Sequence, residues 1–163
     1  MCMSLDRDAV VRRYKQLCVE MGLDYKDVIL SAGAAMVLMG VRKHTQEIDV
    51  DVPAAFFNQQ RVRKGFTNGL LGEAVAWDGM VDIHPLPAHF TDGDVMNYLG
   101  IWIYSPKALM KQKRKLAKHK DREPRKAAQD RCDLVKLKEI MDNVNDAKRQ
   151  LENAGVSLVA TKV

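Results

Sequence analysis

Glu47, Asp49 and Asp51 stand at every second position, interleaved with Ile48, Val50 and Val52. Alternate side chains of an extended strand share one face, so this stretch would carry three carboxylates on one side and an apolar surface on the other. Three like charges in a row repel one another unless water or a cation offsets them. On a solvent-facing sheet they would simply be hydrated, whereas beside a phosphate they would hold a divalent ion. Hard Mg²⁺ favours carboxylate oxygen and keeps several waters, so few protein ligands suffice. Asp82, in the alternating segment Val81-Asp82-Ile83-His84, is the candidate acid from a neighbouring strand, and His84 shares its face.

A phosphate partner has a candidate site upstream. Val28-Ile29-Leu30 is a short apolar run; Ser31-Ala32-Gly33 follows it and leads into Ala34-Ala35-Met36-Val37-Leu38-Met39, closed by Gly40. This reads as a strand, a tight turn and a short buried helix. Backbone N–H groups at a helix N-terminus bind phosphate, and a glycine there allows close approach. Ser31, Gly33 and Ala34 are therefore candidate nucleotide contacts, with Arg42 and Lys43 in the polar loop that follows. Metal beside such a turn is the equipment of phosphoryl or nucleotidyl transfer, with ions at the attacking hydroxyl and the leaving phosphates. A Rossmann dinucleotide site is not indicated, because Gly33 lacks the other glycines of that fingerprint.

The elements that must position these groups are legible in outline. Asp6 to Met21 has Val10, Tyr14, Leu17, Cys18 and Met21 at helical spacing, with Gly22 as its stop. Ala54 to Arg63 reads as a helix. Gly65 to Gly72 is turn-rich, with a hairpin signal at Asn68-Gly69. Glu73 to Trp77 and Met80 to His84 read as strands joined by Asp78-Gly79, and Ile101 to Tyr104 as another. Ser105-Pro106 starts a helix through Leu109, Met110, Lys113 and Leu116-Ala117, and a second runs from about Arg125 to Asn153. The last eight residues carry no strong signal. The expected architecture is α+β: a mixed β-sheet core flanked by helices over residues 1–104, with a C-terminal helical segment, 105–163, packed on it.

Composition bounds the partners. The 163 residues suffice for a self-sufficient core. Net charge is +5, and Lys111, Lys113, Arg114, Lys115, Lys118, Lys120, Arg122, Arg125 and Lys126 crowd one region, either as a solvated surface or as a site for an anionic partner such as RNA. Cys2, Cys18 and Cys132 are far apart and form no C-x-x-C pair, which argues against a zinc knuckle or a disulfide framework. No run is apolar enough to span a bilayer and no signal-peptide core is evident, so no membrane partner and a reducing cytoplasm are the expectations.

Ser31-Ala32-Gly33-Ala34-Ala35, Met39-Gly40-Val41-Arg42, Thr45 and Glu47-Ile48-Asp49-Val50-Asp51 together resemble the minimal nucleotidyltransferase superfamily. Within it, Gly40-Val41-Arg42-Lys43-His44-Thr45-Gln46-Glu47-Ile48-Asp49 is similar to a stretch of the abortive-infection toxin and antibiotic-nucleotidyltransferase-like groups. Ser105-Pro106-Lys107-Ala108-Leu109, Lys113 and Asp130-Arg131-Cys132-Asp133-Leu134-Val135-Lys136-Leu137 match their C-terminal pattern in order. The resemblance implies a nucleotidyltransferase-like fold and transfer of a nucleoside monophosphate from a triphosphate to a hydroxyl or phosphate acceptor, tRNA among the options. It implies Mg²⁺ or Mn²⁺ on Glu47, Asp49 and Asp82, with Asp51 in reserve, one of these acids taking the acceptor proton, and Lys113 near the nucleotide. The acidic strand offers two registers, Glu47/Asp49 or Asp49/Asp51, and the spacing from Gly33-Ala34 selects the first. Two departures, Glu47 in place of the first Asp and Ala34 in place of a serine, point to the alternative: an inactive nucleotidyltransferase-fold protein with a binding or regulatory role, antitoxin-like or in phage–host interaction.

Overall fold

A computed structural model of the chain describes residues 4–88 and 90–155. The final eight residues and Cys2, one of the three expected free thiols, lie outside the described residues, while Cys18 is a buried free thiol and Cys132 an exposed one. The chain is mixed α+β and divides into two compact units, residues 1–105 and 106–163.

In the first unit, helix α1 (Arg7–Met21) opens with the Asp6 carboxylate accepting from the Ala9 N–H at 2.9 Å and stops at Gly22, which takes a left-handed φ of 66°. Its apolar stripe, Val10, Tyr14, Leu17, Cys18 and Met21, is buried. Strand β1 (Ile29–Ser31) passes directly into helix α2 (Ala32–Met39), which ends on left-handed Gly40. Strand β2 (Ile48–Val52), helix α3 (Ala54–Lys64), strands β3 (Thr67–Gly69), β4 (Gly72–Ala76), β5 (Val81–Pro85), β6 (Val95–Tyr98) and β7 (Ile101–Tyr104) complete the unit.

The seven strands form one sheet in the order β3-β4-β5-β2-β1-β7-β6. β2 lies at its centre, antiparallel to β1 and parallel to β5. Ile48, Val50, Val52, Val81 and Ile83 are fully buried, which explains the burial of the apolar side of the alternation. The β4–β5 turn is set by Asp78, whose Oδ1 accepts from the N–H groups of Met80 and Val81 at 2.7 and 2.9 Å.

Three expectations about elements need correction. β2 begins at Ile48, so Glu47 precedes the strand and is exposed. Asn68 and Gly69 belong to β3, whose Gly69 pairs with Gly72, so the hairpin turn falls at Leu70-Leu71 instead. β6 was not anticipated: it pairs antiparallel with β7 at the sheet edge, and its Met96 and Asn97 face solvent, leaving no apolar alternation to read.

The second unit is a helical hairpin of α4 (Pro106–Ala117) and α5 (Pro124–Asn153). Between them lies a buried charge cluster. Lys113 Nζ is 2.9 Å from Asp130 and 3.3 Å from Asp133, and Arg122 donates through Nε and Nη2 to Asp130 at 2.9 and 3.1 Å. Gln129 donates to Asp133 at 3.0 Å. The basic run is thereby split: Lys113 and Arg122 turn inward, while Lys111, Arg114, Lys115, Lys118, Lys120, Arg125 and Lys126 are exposed.

Candidate active site on one face of the central sheet

Cross-strand register assembles the site. On β2, Asp49 is paired with Ser31 of β1 on one side and with Asp82 of β5 on the other. One step along, Asp51 is paired with Ile29 and His84. Paired residues of neighbouring strands project to the same face, so Ser31, Asp49 and Asp82 form one row and Asp51 and His84 the next. Tyr104 reaches this face from β7, and its hydroxyl donates to Asp51 Oδ2. His84 Nε2 lies 3.0 Å from Asp49 Oδ1, a diagonal contact between the rows.

The electrostatics follow from crowding five ionisable groups, Asp49, Asp51, Asp82, His84 and Tyr104, onto a partly covered face. Burial pushes the Asp51 carboxyl up to about 6, although the Tyr104 hydroxyl and the His84 charge pull the other way. Asp82 is raised as well, first by burial and then by the Asp49 charge. For His84, burial favours the neutral imidazole, but the hydrogen bond to Asp49 and the charges of Asp49, Asp51 and Asp82 outweigh it and raise its affinity for the proton. Tyr104 is held in its neutral form by burial and by Asp51.

The β1–α2 turn abuts the first row, because α2 starts at the residue after Ser31. Ala32 takes a left-handed φ of 50°, the conformation that folds β1 sharply into α2. Gly33 was expected to leave room for a ligand. The structure gives its smallness a different cause: a Cβ there would lie 2.6 Å from Thr45 Oγ1 and 3.0 Å from Arg42 Nη1. The loop before β2 therefore packs into the glycine, bringing the Arg42 guanidinium to the first turn of α2. Ser31, Gly33 and Ala34 are buried, Ala32 is half-exposed and Lys43 is exposed.

No family model, curated protein or solved structure matches this chain.

Of the residues singled out from sequence, Ser31, Asp49 and Asp82 share one row, Asp51 stands beside it, and Gly33, Ala34 and Arg42 meet at the adjoining helix start. Glu47 stands apart, in the loop, with its carbonyl accepting from Thr45 Oγ1 at 3.1 Å. Lys113 is enclosed within the helical hairpin. Sequence reading missed Tyr104 as a site residue. The available signal was the alternation of Ile101-Trp102-Ile103-Tyr104, which separates the faces of Ile103 and Tyr104 but names no partner for the hydroxyl.

Among the described residues no three His, Cys, Asp or Glu side chains converge as a ready cation cage. The donor set does fit a divalent ion that takes two protein carboxylates and fills its sphere with water and phosphate oxygen, the usual Mg²⁺ arrangement. Asp49 and Asp82 could supply those two carboxylates: they are in register on parallel strands, and the charge of Asp49 raises the proton affinity of Asp82. Asp51 is engaged by Tyr104.

Proposed function

We propose that the chain is a divalent-metal-dependent nucleotidyltransferase, moving a nucleoside monophosphate from a triphosphate to a hydroxyl or phosphate acceptor, RNA and tRNA included. The observation that carries this reading is the row Ser31–Asp49–Asp82 with the start of α2 immediately beyond Ser31. It sets two carboxylates beside a helix N-terminus, so that groups for a cation and for a phosphate adjoin on one surface. Asp49 and Asp82 would hold Mg²⁺ or Mn²⁺, which when bound neutralises phosphate charge and makes the acceptor oxygen a better nucleophile. Arg42, at the same helix start, supplies fixed positive charge toward the triphosphate, and the α2 N-terminus adds its dipole. Tyr104 keeps Asp51 back from the pair. The outward cations of α4 and the following loop offer a surface for an RNA acceptor.

The test is label transfer. With each of the four α-³²P-labelled triphosphates, Mg²⁺ or Mn²⁺, and tRNA, total RNA or protein as acceptor, one combination should become labelled. Asp49→Ala and Asp82→Ala should each reduce transfer at least about 100-fold, as expected for loss of a metal ligand. Glu47→Ala should change it little, since Glu47 is exposed and outside the strand. The displaced Glu47 and the buried Gly33 and Ala34 favour a second reading, a non-catalytic nucleotidyltransferase-fold binding or regulatory protein. No transfer under any condition, with RNA binding that persists in EDTA, would establish it.

A further inference from the structure

We propose that His84 is a positioning residue for the Asp49/Asp82 pair: its imidazole holds one oxygen of Asp49 and so presents the other to the divalent ion. This rests on the metal-dependent reading above and assigns a residue that the reading leaves without a role. The register puts His84 opposite Asp51, yet its Nε2 reaches diagonally to Asp49 Oδ1 at 3.0 Å. The geometry has a reason, because the Asp51 carboxylate is already taken by the Tyr104 hydroxyl. Each acid of β2 thus has a dedicated donor, whereas the Asp82 carboxylate has no side-chain hydrogen bond or ion pair among the described residues.

An ionised carboxylate only accepts hydrogen bonds, so Nε2 must be the donor to Asp49 whether the imidazole is neutral or charged. The contact fixes the rotation of the Asp49 carboxylate about its terminal bond, a torsion that is otherwise broad. With Oδ1 engaged, Oδ2 is the oxygen left for a cation shared with Asp82. His84 is half-buried, its side chain 30% exposed, so neighbouring residues restrict the imidazole while its position remains at the surface of the site. Outer partners of this kind orient metal-binding carboxylates, and their loss weakens metal binding about 10- to 100-fold.

The experiment titrates the full chain with Mn²⁺ alone, followed by electron paramagnetic resonance of the free ion and by calorimetry, in wild type, His84→Phe, His84→Gln and Asp49→Asn. Circular dichroism establishes that each variant is folded. His84→Phe should raise the Mn²⁺ dissociation constant about 10- to 100-fold. His84→Gln, whose amide N–H can reach the same oxygen, should recover most of that loss and stands in if the phenylalanine variant does not fold. Wild-type affinity in His84→Phe, or a loss in His84→Gln as large as in His84→Phe, overturns the positioning role while leaving the metal pair intact. Absence of Mn²⁺ binding in wild type, or unchanged binding in Asp49→Asn, overturns the pair itself and the role of His84 with it.

Discussion

Ala32 carries a side chain at a φ of 50°, where an L-residue costs about 1–2 kcal/mol because its Cβ crowds the following carbonyl. It stands between Ser31, which faces Asp49, and Gly33, into which Thr45 and Arg42 pack. Strain retained at the junction of a carboxylate row and a helix start is what a fold tolerates when that junction must keep one shape. Ala32→Gly should relieve it and, after the added entropy of the unfolded chain, stabilise the protein by about 0.5–1 kcal/mol in urea titration. An unchanged or lower midpoint would show that the surroundings had already absorbed the strain. Among the site residues, Asp49 and Asp82 were legible because each sits at the polar position of an alternating segment. The same alternation put His84 on that face, but the pairings were not legible, because His84 and Tyr104 find their acceptors across strands 35 and 53 residues away, and no local pattern encodes which. Glu47 misled for a complementary reason: it keeps the alternation of the strand, but the ladder to β5 starts at Ile48↔Val81 and leaves it out.

At the scale of elements, segments that bury one face announced themselves and exposed ones did not. α1, β1, α2, β2, β5 and β7 were all readable from apolar spacing, whereas β3 has every residue exposed and β6 has two of four, so neither shows a core-facing pattern. The α4–α5 hairpin illustrates a further gap. Helical spacing identified both helices but gave no hint that Lys113 and Arg122, within a run of surface cations, would turn inward onto Asp130. Lys113 and Asp130 have side chains 5% and 0% exposed, so removing the ammonium takes one buried cationic donor from Asp130, which keeps Arg122, and one from Asp133, which keeps Gln129. Lys113→Met should therefore cost about 1.5–3 kcal/mol in chemical denaturation, the worth of a charged hydrogen bond and not of an orphaned charge. A loss under about 1 kcal/mol in the single variant would mean that water or a rotated Arg122 replaces the ammonium.

For the molecule as a whole, opposed titrations set where stability peaks in the absence of metal. Glu20 and Asp78 are held below the ordinary carboxylate range, Glu20 by its hydrogen bonds to Arg13 and Trp77, and Asp78 by the Met80 N–H and Arg13 against the pull of burial. Such groups favour the fold above their unfolded values, and that contribution is lost as pH falls through the folded ones. The site acts with the opposite sign. Asp51 holds its proton up to about 6 in the fold, against 3.8 when exposed, so the unfolded chain releases that proton first as pH rises. Stability from this group is therefore present below pH 3.8 relative to the ionised state and declines until the pH passes about 6. His84, raised above 6.5, likewise favours the fold at lower pH and ceases to do so as pH climbs through its folded value. In EDTA, Asp51→Asn should flatten the decline and raise stability at pH 7 by up to about 3 kcal/mol, with almost no gain at pH 4, as read by urea denaturation across that range. A divalent ion bound at this site would reverse the slope, since it would take the ionised carboxylates and compete with their protons. Mn²⁺ should raise the wild-type melting temperature more at pH 7 than at pH 5, and Asp49→Asn should abolish the difference. A shift that is equal at the two pH values, or one that survives in Asp49→Asn, would place the bound ion away from the central sheet and remove the electrostatic basis for nucleotidyl transfer there.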